Sequence, residues 1–168
     1  FVYLALGREK ITDDHWIYLP EDTLTVHRIS EFKNFSPENA PPGKTVVCCE
    51  ITCDFEDEVW NCPDEKLREI AVNDLVRIGL IKKEEVIDEW SHRTRFAYPI
   101  YDLEYAGRLE SAKGFIEQFV NLHTAGRQGL FKYNNMDHSL EMGLEASKDL
   151  LHERRDTDKV ASGSGYFG

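Results

Sequence analysis

Short runs in which apolar and polar residues alternate fill the first third of the chain, and each run ends at Gly, Pro or a charged turn. Alternation of this kind predicts β-strands that bury one face, and the short turns between them favour antiparallel pairing. A further run, rich in β-branched and aromatic residues, lies later in the chain, and we expect it to join the same sheet. The predicted strands are 1–6, 15–19, 23–29, 44–54 and 86–98.

Apolar residues at three- and four-residue steps predict helices. The clearest repeat begins after Pro63, includes Leu67, Ala71 and Leu75, and stops at Gly79. Pro in the first turn and Gly just past the last turn are typical of helix ends.

Two weaker helical repeats follow in the second half of the chain. One spans about 103–118, and Asp102 is placed to cap it. The other begins near Asn135 and carries Leu140, Leu144, Ser147 and Leu151 on one face. The run 119–124 predicts a short strand, and a glycine-containing loop follows it. Together the elements predict an α+β fold with a mostly antiparallel sheet and packed helices.

Composition and charge narrow the functional classes. The 168 residues include 20 Lys and Arg against 31 Asp and Glu, a formal net charge of −11. Because this charge repels phosphate backbones and anionic lipids, we expect no nucleic-acid partner. No apolar run approaches the roughly 20 residues that span a bilayer, so we expect no membrane span and a cytoplasmic location.

The cysteines and histidines predict neither a metal site nor a catalytic group. Cys48, Cys49, Cys53 and Cys62 crowd together without a C-x-x-C pair, and no two histidines have a ligand-like spacing. We expect reduced thiols that pack as small apolar residues, and histidines that are solvated or cap helices.

The segment 122–137 carries the arrangement best suited to a polar ligand. Gly126 and Gly129 allow the backbone to approach a ligand closely, and the helix that starts near Asn135 offers unpaired N–H groups with a partial positive charge. Further hydrogen-bond donors at the same place would come from Arg127, Lys132 and Tyr133. The residues leave an alternative open, in which one of the two adjacent asparagines simply caps its own helix.

Two motifs in this half of the chain resemble a known family. The residues Gly126-Arg127-Gln128-Gly129-Leu130-Phe131-Lys132-Tyr133-Asn134-Asn135-Met136 are similar to the pattern G-R-x-x-x-[YF]-x-Y-x-D-M, and Tyr98-Pro99-Ile100-Tyr101-Asp102 is similar to Y-P-x-x-D. Both patterns belong to the C-terminal region of the FAD-dependent amine-oxidoreductase and protoporphyrinogen-oxidase-like superfamily, most specifically to UDP-galactopyranose mutase and its relatives. The resemblance covers about 98–146. Asn135 departs from it, since the family carries an acid there.

The resemblance implies a set of site residues. In the family, the final helix directs its N-terminus at the edge of the flavin ring where negative charge collects on reduction. The FAD contacts implied for this chain are Gly126, Arg127, Asn135, Met136 and Asp137. Two family tyrosines that bind the diphosphate of the sugar nucleotide correspond to Tyr98 and Tyr133. The resemblance supplies no catalytic residue, because the flavin carries the chemistry.

The resemblance also implies how the chain is used. Since it contains no credible N-terminal dinucleotide-binding unit and does not begin with Met, we expect a C-terminal fragment of an FAD-dependent oxidoreductase or mutase-like enzyme. Its partners would be the missing N-terminal FAD-binding half and a small-molecule substrate such as a nucleotide sugar. The sequence also leaves open that the protein forms a homo-oligomer. The implied division is a substrate-side sheet with helices at 1–118, an FAD-contacting segment at 119–152 and a flexible tail at 153–168. The alternative is a stand-alone nucleotide- or phosphate-binding interaction domain.

Overall fold

The computed structural model describes residues 1–151, which divide into one compact unit from Phe1 to Arg95 and a second that begins at Phe96. The functional division at 118/119 stays a prediction, and the predicted tail, 153–168, lies outside the described residues. No helix within 1–151 is long and apolar enough to cross a membrane. The strands are β1 (Val2–Leu6), β2 (Trp16–Tyr18), β3 (Arg28–Glu31), β4 (Thr45–Glu50) and β5 (Val86–Ser91), and the helices are α1 (Asp64–Arg77), α2 (Tyr105–Ile116), α3 (Gly126–Gly129) and α4 (Met136–Leu150).

The first unit is a five-stranded antiparallel sheet in the order β2-β3-β4-β1-β5. The prediction that β5 shares the sheet of the earlier strands is therefore confirmed. Alternate residues of β1, namely Val2, Leu4 and Leu6, are fully buried. They pack in one core with Leu67 and Leu75 of α1, so the two periodicities seen in the sequence meet at a single interface.

The predicted strand 23–29 is wrong over residues 23–27, and Asp74 of α1 accounts for part of the difference. One oxygen of its carboxylate, Oδ2, accepts the backbone N–H groups of Thr25 and Val26, at 2.7 and 2.9 Å. Those donors are therefore bound to a helix and not to a neighbouring strand. The regular strand begins only at Arg28.

The predicted strand 86–98 is too long, because β5 ends at Ser91. Two residues later, the Arg93 guanidinium donates to the backbone oxygens of Trp60 and Cys62 and pairs with Asp64. These bonds tie the chain to the loop that precedes α1. Polar anchoring thus replaces strand pairing at this point.

The second unit contains α2, α3 and α4, and it departs from the prediction in three places. The run 119–124 forms turns and no strand, and α3 replaces the expected glycine loop with one helical turn. The face of α4 that the sequence singles out is not the buried one: His138 and Met142 are buried, while Leu140 and Leu144 are 72% and 64% exposed. The helix predicted near Pro63 is confirmed, but α1 begins at Asp64, with Pro63 as its N-cap and not in its first turn. The predicted start of α4 near Asn135 is confirmed.

Candidate functional site

The turn into α3 is built around two glycines with different roles. Gly126 has a φ of +79°, a left-handed conformation that favours glycine, and a Cβ atom there would meet no atom within 4 Å. At Gly129, by contrast, a Cβ would lie 2.5 Å from Thr124 Oγ1, whose hydroxyl donates to the Gly129 carbonyl at 2.8 Å. Gly129 is therefore required by internal packing, whereas Gly126 leaves open space beside the backbone.

Arg127 joins the two motifs of the sequence. Its guanidinium carbon lies 5.2 Å from the centroid of the Tyr98 ring and 4.3 Å from that of Tyr133, and the two rings stack at 5.6 Å with an interplanar angle of 19°. Nη1 of Arg127 donates to the backbone oxygen of Asn134 at 2.6 Å. Within residues 1–151 this is the hydrogen bond that the guanidinium makes, so most of its five N–H donors are unused. We call Tyr98, Arg127 and Tyr133 the ring cluster.

Tyr101 fixes the segment that carries Tyr133. Its hydroxyl donates to the Phe131 carbonyl at 3.1 Å and accepts the Tyr133 N–H at 2.7 Å. Phe131 has a φ of +51°, which is uncommon for a residue other than glycine. One phenol thus bridges both sides of a backbone turn and holds it in an unfavourable conformation.

The first turn of α4 is capped in part by its own residues. Asn135 and His138 form a capping box, in which the Asn135 N–H lies 3.4 Å from His138 Nδ1. The expectation of a helix-capping histidine is confirmed here. Among residues 1–151, however, no group accepts the backbone N–H of Met136 or of Asp137. The tip of α4 therefore keeps two donors beside a Met136 side chain that is 84% exposed.

Asn134 supports this tip from below. It is buried, donates from Nδ2 to Met142 Sδ at 3.2 Å, and its Oδ1 accepts the Ser139 hydroxyl at 3.3 Å. The Asp137 carboxylate lies at the surface, 3.1 Å from the His138 ring. Of the two adjacent asparagines, one braces the helix and the other caps it, so the self-capping alternative is correct for part of the tip.

Asp102 of the upstream motif lies two residues before Glu104, the N-cap of α2. Its carboxylate accepts the Glu104 N–H at 3.1 Å and pairs with Arg108. The hydrogen bond from Arg108 lowers the pKa of the Asp102 carboxyl below its ordinary value. The predicted capping role of Asp102 is therefore wrong: α2 begins at Tyr105, and its N-cap is Glu104, without a side-chain cap bond.

The predicted site residues thus fall into two groups. Tyr98, Arg127 and Tyr133 are brought together, and Asn135, Met136 and Asp137 share the tip of α4. Reasoning from the sequence missed Tyr101 and the bracing role of Asn134. A signal for Tyr101 was its position three residues after Tyr98 in the same motif. Within 1–151, no group of three His, Cys, Asp or Glu side chains is placed to hold a metal ion.

Comparison with known proteins gives a likeness of fold. No protein-family model matches the sequence. The structure is similar to a crystal structure of reduced UDP-galactopyranose mutase, with a TM-score of 0.77 and 23% sequence identity over 96% of this chain. The match covers 34% of the mutase chain. The α+β architecture is therefore that of part of the mutase fold.

Proposed function

We propose that this chain forms the substrate-side sheet and the C-terminal cofactor contacts of an FAD-dependent enzyme that acts on a nucleotide sugar, either as an oxidoreductase or as a mutase. The observation that carries the proposal is the fold likeness to UDP-galactopyranose mutase along 96% of the chain. The motif resemblance points to the same family independently, through individual residues. The rest of the enzyme, including the part that holds most of the FAD, would come from sequence outside these 168 residues, because the match spans only 34% of the mutase chain.

The residues present fit a flavin. The open space beside Gly126 is a place that any side chain would fill, and a flat ring needs such space next to the backbone. The two N–H donors at the tip of α4, together with the helix dipole, suit the edge of a ring that becomes electron-rich on reduction. When bound, FAD would supply the redox chemistry of its ring system.

The chain's own residues would position both ligands. Met136 and Asp137 would donate their backbone N–H groups to the cofactor edge, with Asn135 holding the helix tip in shape. The resemblance implies that Arg127 contacts FAD, but its guanidinium lies against the rings of Tyr98 and Tyr133. We therefore assign its unused donors to the phosphates of the substrate, because a guanidinium presents paired N–H groups to such oxygens. Tyr98 and Tyr133 would stand at the same phosphates, as the family motif implies.

FAD content of the intact protein tests the proposal directly. We expect the protein purified from cells to be yellow and to carry close to one FAD per chain. A colourless protein that takes up no added FAD would refute the proposal. Binding of a nucleotide or of inorganic phosphate by that colourless protein would instead favour a stand-alone binding domain.

Gly126→Ala tests the placement of the ring. The new methyl group would occupy the open space, and we expect the affinity for FAD to fall by at least about tenfold, which corresponds to roughly 1.4 kcal/mol. Gly79→Ala is the matched control, since Gly79 has a φ of +75° and equally open surroundings but lies at the end of α1. Both variants carry the same backbone strain. Equal FAD affinity in the two variants would contradict the placement.

A further inference from the structure

We propose that Tyr101 is a positioning residue for phosphate recognition, which deepens the proposed function and rests on it. The Tyr101 hydroxyl would orient the ring cluster toward the diphosphate of the nucleotide sugar without touching the substrate. The residue is not among the site positions that the family resemblance supplies. Its role follows from two hydrogen bonds and from the conformation of the turn between them.

The turn that contains Phe131 has an unfavourable backbone geometry. Phe131 adopts a left-handed conformation that a residue with a bulky side chain rarely adopts without support. The Tyr101 hydroxyl binds the carbonyl of this residue and the N–H of Tyr133, so it spans the strained position from both sides. Removing the hydroxyl would leave both backbone groups without this partner and would free the turn to relax.

The same backbone segment positions two members of the ring cluster, Tyr133 and Arg127. Tyr133 lies at the end of the braced segment, and its ring is the nearer of the two that contact the Arg127 guanidinium. Arg127 also donates to the carbonyl of Asn134, the residue that follows Tyr133. A shift of this backbone therefore moves the tyrosine ring and the guanidinium together.

The donors of Arg127 indicate that the ligand of the ring cluster is a phosphate. Arg127 keeps most of its donors unused within residues 1–151, and the ring cluster is accessible, with Tyr98 39% and Tyr133 37% exposed. Arg127 itself is half-buried, and a guanidinium oriented by aromatic rings suits a phosphate or diphosphate. Because such recognition depends on angle, a small displacement of Arg127 would weaken phosphate contacts more than contacts with an uncharged ribose or base.

Tyr101→Phe in the intact FAD-containing protein tests the inference, with UDP and uridine as probes. We expect the Kd for UDP to rise about tenfold while the Kd for uridine, measured by competition, stays within about twofold. FAD content and melting temperature report whether the fold is retained. Tyr105→Phe is the control, because Tyr105 packs against Tyr101 with ring centroids 4.7 Å apart and its hydroxyl makes no hydrogen bond within residues 1–151.

The outcomes separate the two claims. An unchanged Kd for UDP in Tyr101→Phe would overturn the positioning role while leaving the flavoenzyme proposal intact. An equal rise for UDP and uridine, or an equal effect of Tyr105→Phe, would also overturn it, since both results indicate general loosening of the aromatic cluster. Absence of both FAD and UDP binding in the unsubstituted protein would refute the proposed function and, with it, this inference.

Discussion

Glu31 provides a demanding test of the polar interior of the sheet unit. Its side chain is fully buried, and its two carboxylate oxygens accept separate sets of donors. Oε1 accepts the Ile11 N–H at 2.9 Å and the Thr45 hydroxyl at 2.7 Å, while Oε2 accepts the Thr12 N–H at 3.0 Å and the Asn34 amide at 3.3 Å. We predict that Glu31→Gln destabilises the protein by about 2–4 kcal/mol.

The magnitude follows from which donors can adapt. The Thr45 hydroxyl can rotate and accept a bond from the new NH₂ group. The Asn34 amide cannot flip in the same way, because its Nδ2 also donates to the carbonyls of Thr12 and Asp14 at 3.0 and 2.7 Å. The backbone N–H groups of Ile11 and Thr12 cannot change, and they bind different oxygens. Whichever way the glutamine amide is turned, one backbone donor faces another donor and loses a charge-assisted bond, for which the typical loss is about 1.5–3 kcal/mol.

Urea unfolding followed by tryptophan fluorescence would measure the effect, since the three tryptophans all lie in the sheet unit. Glu21→Gln is the matched control: it removes the same charge from an exposed position, and we expect a change below about 0.5 kcal/mol. A loss in Glu31→Gln below about 1 kcal/mol, or one equal to that of the control, would refute the reasoning.

Two further predictions concern other buried groups of the same unit. Asp74→Asn should be milder than Glu31→Gln, at about 1 kcal/mol, because both backbone donors bind one oxygen that an asparagine can still supply; a loss as large as that of Glu31→Gln in the same urea titration would contradict this. Burial raises the pKa of the Cys48 thiol to about 11 and raises that of the fully buried Cys49 as well, so iodoacetamide at pH 8 should label the partly exposed Cys62 well before either of them; equal labelling rates, read by peptide mass spectrometry, would show that this part of the sheet is not packed as described.

The fold was most predictable where the causes are local. The alternation in β1 and the four-residue repeat of α1 each follow from neighbouring residues, and the structure confirms both. The strand expected from Thr23 failed because its donors are taken by Asp74, which lies about fifty positions along the chain. The β-propensity of neighbouring residues gives no information about a distant hydrogen-bond acceptor, which approaches the strand only when the chain has folded.

The site shows the same limit in a different form. Spacing and motif led to Arg127 and Tyr133, because each belongs to a pattern that can be read along the chain. The bridging role of Tyr101 depends on a hydrogen bond between residues 32 positions apart, and no periodicity encodes it. The buried side of α4 was missed for a related reason, since Met142 packs with Leu130, which lies outside the helix.

The two units differ in how much apolar side chain each buries in its own interior. The core cluster of the sheet unit contains twelve buried residues, whereas the cluster in the described part of the second unit contains Leu130 and Met142. With so little buried apolar area, the contacts of the ring cluster and of the Tyr101 hydroxyl contribute to the local stability of the second unit. Regions with few buried apolar contacts unfold locally at low free-energy cost. Ligands that bind the ordered form would therefore stabilise this unit in proportion to their affinity. In the proposed enzyme, FAD and the nucleotide sugar would be such ligands, held by the N–H groups at the tip of α4 and by the guanidinium of Arg127.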